Sequence, residues 1–62
     1  MTLGKLLAKF DDWNGTTRVN NSELKTIVEK RTDILAEDNS LCEKQVVSFG
    51  FDESVLTVRI AK

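Results

Sequence analysis

Apolar and polar residues alternate most regularly from Val46 to Ile60, and the chain is organised around this stretch. Val47, Phe49 and Phe51 stand two apart, as do Leu56, Val58 and Ile60, with Asp52, Glu53, Ser54 and Val55 between the sets. This predicts a β-hairpin with one apolar face. Pairing Phe51 with Leu56 also pairs Phe49 with Val58 and Val47 with Ile60, and a one-residue slip would turn one set to solvent. Asp52 suits the first position of a type I turn in a slightly longer loop. Ser48, Gly50, Thr57 and Arg59 fall on the opposite face, so the sheet should be covered on one side and open on the other.

The cover is sought upstream. Thr2 is placed to cap a helix, and Leu3, Leu6, Leu7 and Phe10 follow at the spacing of one helical face. Gly4 costs such a helix up to about 1 kcal/mol relative to alanine, so docking on the hairpin must hold it. From Asp11 to Gly15 the pattern breaks; Asn14-Gly15 offers positive φ, and Trp13 is expected to fold back over the core edge. Thr16 to Asn20 reads as a strand, and Asn20 to Ser22 as a turn into a second strand containing Thr26, Ile27 and Val28. The alternative is a helix over residues 22–36, capped by Ser22 and carrying Leu24, Ile27, Val28, Ile34 and Leu35 on one stripe. Thr32 or Asp33 can cap a short helical segment, and Ser40-Leu41-Cys42-Glu43 has the form of a capping box. The expected fold is a single α+β domain over residues 1–62, ordered α-β-β-α-β-β, with helices packed on an antiparallel sheet. With residues 22–36 helical it would be α-β-α-β-β.

Length and composition narrow the function classes. A chain of 62 residues buries roughly 60% of its surface, which leaves one marginal core. A single cysteine allows no internal disulfide and fits a reducing, cytoplasmic setting. No stretch approaches the roughly 18 apolar residues of a membrane span, and no signal peptide is read. Without histidine or tyrosine, acid-base catalysis would fall to carboxylates or lysines, and Cys42 has no imidazole to activate it. An enzyme is therefore not expected, nor a cofactor. Asp11-Asp12 and Glu37-Asp38 lack the alternating oxygens and loop glycine of a calcium site, so no metal is expected.

What remains is a surface. Nine basic and ten acidic residues are interleaved along the chain, which disfavours direct nucleic-acid binding. Arg18, Lys25, Lys30 and Arg31 could form a basic strip on adjacent strands, though Glu23 and Glu29 lie among them. The four aromatics Phe10, Trp13, Phe49 and Phe51 look committed to the core, with Trp13 the one candidate contact anchor. The hairpin's open face around Ser48, Gly50, Thr57 and Arg59, its tip at Asp52 and Glu53, and any free strand edge complete the candidate partner surface.

The opening Thr2-Leu3-Gly4-Lys5-Leu6-Leu7, the run Val46-Val47-Ser48-Phe49-Gly50-Phe51 and the closing Leu56-Thr57-Val58-Arg59-Ile60 resemble the short accessory proteins of phages and mobile elements of Gram-positive bacteria. The resemblance spans most of the chain and consists of core pattern, with no catalytic motif. It implies a protein of the host bacterium's cytoplasm that binds and disables a larger host protein, such as a defence nuclease, as anti-CRISPR proteins do. The alternative expectations are a nucleic-acid-associated protein and a small structural protein that self-associates through a sheet edge.

Overall fold

In the computed structural model, which describes residues 1–10 and 12–61, the hairpin forms in the register that its alternation predicts. β3 (Val46–Asp52) and β4 (Val55–Ile60) are antiparallel, with Phe51 opposite Leu56 and Phe49 opposite Val58. At the far end Val46, not Val47, faces Ile60, because Val47 is the extra residue of a bulge. The connection is tighter than a type I loop. Asp52 pairs with Val55, and the two loop residues, Glu53 and Ser54, have φ of 51° and 70°. This is type I′ geometry, whose twist matches the strands, formed without the Asn-Gly pair that adopts it most easily.

The other elements follow in order. α1 (Leu3–Ala8) is capped by Thr2, whose hydroxyl accepts from the Lys5 N–H at 3.3 Å, and the helix ends before Phe10. β1 (Thr16–Asn20) and β2 (Thr26–Arg31) form an antiparallel hairpin, so residues 22–36 are not one helix. Two forces decide that ambiguity: Thr26, Ile27 and Val28 are β-branched, and β1 needs a partner for its outer backbone groups. The chain turns helical at α2 (Thr32–Leu35) and again at α3 (Asn39–Cys42). Asp38 rather than Ser40 caps α3, accepting from the Leu41 N–H at 3.1 Å, while the Ser40 hydroxyl donates to the same carboxylate.

The strands lie in the order β2-β1-β4-β3, with β1 and β4 parallel at the centre. The protein is thus α+β as expected, but its sheet is mixed and not wholly antiparallel. Two antiparallel hairpins joined through α2 and α3 can dock with their inner strands running the same way, which alternation within a strand does not reveal. β2 and β3 are left as the edges. The outer side of β3 is covered only where it begins: Leu3 N–H donates to Lys44 O, and Val46 N–H to Met1 O, each at 2.8 Å.

The core is the docked face of α1, with Leu3, Leu6 and Leu7 buried against Val19, Leu35, Leu56, Val58 and Ile60. Phe49 and Phe51, expected in this core, are 53% and 58% exposed. They are on the predicted face but on the edge strand, where Phe51 meets only the rings of Phe10 and Trp13 among the described aromatics.

Two buried threonines stitch the first hairpin to the core. The Thr17 and Thr32 hydroxyls are 2.6 Å apart, and Thr32 also donates to Gly15 O at 3.0 Å. Thr32 has one hydroxyl proton, so Thr17 must be the donor in their mutual bond. Gly15 is required by a close approach, not by positive φ: a Cβ there would lie 1.9 Å from the Trp13 ring.

Thr32→Val should cost about 2 kcal/mol, because it strands the Thr17 hydroxyl, whereas Thr17→Val should cost about 1 kcal/mol or less. Urea denaturation of the two variants checks the order. By the same measurement, Glu53→Asn combined with Ser54→Gly should gain about 1 kcal/mol by relieving the turn.

Candidate functional site

Alternation sends every second residue of the central strands away from the helices. Two rungs result. Ser48, Arg59 and Asn20 lie side by side across β3, β4 and β1, and Gly50, Thr57, Arg18 and Glu29 lie side by side across all four strands. Because Gly50 carries no side chain and Thr57 is small, the middle of this open face is low. The low ground is a groove of about 330 Å³ lined by Asn20, Leu24, Ser48, Gly50, Thr57 and Arg59, among others.

The β1–β2 loop sets one end of the groove. The Asn21 side chain accepts from the N–H groups of Glu23 and Lys25 at 2.9 and 3.0 Å, and Leu24 N–H donates to Asn21 O. Closing the loop this way forces Leu24 to φ 66°, and its side chain is 66% exposed. Glycine or asparagine is the usual occupant of such a position. Leucine is disfavoured there twice, by its backbone conformation and by its exposure.

The electrostatics along the second rung are largely internal. Arg18 donates to Glu29 at 2.8 Å and lies 3.8 Å from Asp52, and the hydrogen bond to Glu29 is the main influence holding the guanidinium protonated. Arg31 is taken up by Asp33 at 3.0 Å. Arg59 makes no ion pair with any described residue. The Thr57 hydroxyl, on the groove floor, is buried without a hydrogen-bond partner among the described residues.

Of the residues singled out from sequence, Arg18, Ser48, Asp52, Thr57 and Arg59 come together around this face. Glu53 sits beside Asp52 at the strained tip. Trp13 belongs to the covered face, half-buried, its ring edge-on to Phe51 at 5.4 Å and tilted on Phe10 at 5.7 Å. The basic strip does not form. Lys30 pairs with Thr17 and so has the opposite facing to Arg18, whose neighbour is Glu29. Sequence reasoning missed Asn20 and Leu24, the latter by assigning it to a regular element. The signal was a leucine four residues into a polar turn.

Elsewhere, burial and the nearby Asp38 carboxylate raise the Cys42 thiol above its usual range. Among the described residues no group of three acidic, cysteine or histidine side chains could hold a metal ion; Asp11 lies outside them. Nor is any helix among the described residues long and apolar enough to cross a membrane. No known protein family, curated protein or solved structure matches the chain.

Leu24→Gly should raise stability by about 1 kcal/mol, and Thr57→Val should be neutral or stabilising because it removes an unpaired hydroxyl at nearly constant volume. Thermal melts of the two variants read this directly. A large loss in either would mean that these side chains serve the fold.

Proposed function

We propose that this chain is a non-enzymatic protein-binding module that meets its partner through the groove on the open sheet face. The observation that carries the reading is Leu24. An exposed leucine in a left-handed conformation at the lip of a concave surface costs the folded chain stability and adds nothing to its core. Local rules broken without structural return are expected where a surface is used. Thr57 fits the same pattern, since a hydroxyl without a partner in the free protein is available to a backbone group of a bound one. Arg59, which forms no ion pair with a described residue, supplies a charge beside it.

The chain's chemistry favours binding over catalysis. There is no histidine to act as base, and a thiol shifted upward is a poor nucleophile at neutral pH. Arg18 is already engaged by Glu29, which weighs against phosphate recognition at this face. The sequence resemblance supports a narrower form of the proposal, in which the partner is a larger bacterial protein, such as a defence nuclease, disabled by stoichiometric binding.

Immobilised protein should retain a specific bacterial partner from lysate, and both Leu24→Glu and Arg59→Glu should reduce that retention at least about tenfold, a loss of about 1.4 kcal/mol. Circular dichroism confirms that the variants fold. Retention that is equal for all three proteins would place the contact elsewhere, and no retention by the folded parent would remove the proposal.

A further inference from the structure

The two edges of the sheet are built differently. β2 ends in Glu29, Lys30 and Arg31, the charged kind of edge that discourages pairing. β3 reads Val-Val-Ser-Phe-Gly-Phe-Asp, without a proline or a basic residue, and exposes Val47, Phe49 and Phe51 to 54%, 53% and 58%. Its first residues are covered by Met1 to Leu3, and from Val47 onward no described strand pairs with its outer side.

The backbone of that bare stretch has a defined facing. Asp52 and Val55 close a two-residue type I′ turn, so they form a hydrogen-bonded pair. Alternation along the ladder then makes Gly50 and Ser48 bond inward to β4 and turns the N–H and C=O groups of Phe51 and Phe49 outward. Two residues, spaced two apart, thus offer a donor and an acceptor each. A strand that satisfies all four groups must itself present outward groups at the same spacing, and β3 of another copy does so when it runs antiparallel.

We propose that two copies of this chain associate through β3 about a two-fold axis at Gly50, Phe49 of each pairing with Phe51 of the other, to make one eight-stranded sheet. The strand itself favours a second copy as occupant. The register uses the outward backbone groups and stops short of the segment that Met1 to Leu3 already covers. It sets Phe49 beside the opposite Phe51, which already packs on Phe10 at 5.9 Å and on Trp13, so the uncovered aromatic face becomes continuous across the axis. On the open face, Gly50 meets Gly50, where nothing lies within 4 Å of a would-be Cβ. Ser48 there meets the opposite Asp52, a 69% exposed carboxylate, with Arg59 beside Ser48 on β4. An isologous contact repeats each of these pairings twice. A single strand pair with four partly exposed rings falls below the usual 1,200 Å² or so of a stable interface, so the association should depend on concentration.

Sedimentation velocity over a range reaching about 1 mM should show monomer giving way to dimer. Phe49→Lys, on a half-exposed side chain that can be checked for folding by circular dichroism, should weaken the dimer at least about 30-fold. In a Cys42→Ser background, Gly50→Cys should oxidise to a disulfide dimer, because directly opposite residues have Cα atoms about 4.5 Å apart in a non-hydrogen-bonded pair. Phe49→Cys should not, since its copies would be diagonal, about 7–8 Å apart. A parent protein that stays monomeric throughout, a Phe49→Lys variant that dimerises like the parent, or cross-linking through Phe49→Cys in preference to Gly50→Cys would each overturn the proposal. Phe49 and Gly50 also border the groove, so the two proposals are separated by readout: sedimentation of the purified chain alone reports the dimer, and Leu24→Glu, which lies off β3, should reduce partner retention without changing the dimer.

Discussion

The reach of one short helix governs this molecule. Six residues of α1 span about 9 Å, while four strands side by side extend over about 14 Å between the outer strand axes. The buried apolar strand residues all belong to the central pair, Val19 on β1 and Leu56, Val58 and Ile60 on β4. The core is confined to Leu3, Leu6, Leu7 and Leu35 against the inner strands, and both edge strands keep apolar side chains in solvent, Ile27 on β2 and Val47, Phe49 and Phe51 on β3. With so little interior, buried polar groups such as Thr17 and Thr32 have to be satisfied by each other and by the Gly15 carbonyl.

What could be read from sequence divides along the same line. The hairpin register, the α1 stripe with its Thr2 cap, and the strand at Thr16–Asn20 are local features, fixed by alternation, spacing and capping chemistry, and they were legible. Whether a residue on the correct face is also covered is a question of extent, not of periodicity. Phe49 and Val58 are directly opposite and share a facing, yet one is half-exposed and the other wholly buried. The parallel pairing of β1 with β4 was hidden for a related reason, because it depends on how two finished hairpins dock. The turn at Glu53 and Ser54 was misread for the opposite one: the local preference was clear, and the strand register overrode it.

The candidate site was half legible. Ser48, Thr57 and Arg59 were placed on the open face by alternation within one hairpin, with Asp52 at its tip, and Arg18 joined them only through the central pairing of the sheet. Leu24 was invisible because its significance lies in a backbone angle. A leucine in a helix stripe and a leucine at φ 66° are the same letter, and only the second marks a site where stability has been given up.

That sacrifice is localised. The described non-glycine residues with positive φ are Leu24, Glu53 and Ser54. Because β1 and β4 run parallel, the loop holding Leu24 follows the end of β1, while Glu53 and Ser54 precede the start of β4, so the two strained loops close opposite ends of the same open face. A chain this small has a narrow stability margin, and each left-handed side chain of this kind costs on the order of 1 kcal/mol or more. Asparagine or glycine at these positions would hold the same backbone more easily. Of the three, Leu24 lines the groove, while Glu53 and Ser54 follow Asp52, which lines it too, so both strained loops border the surface proposed for binding.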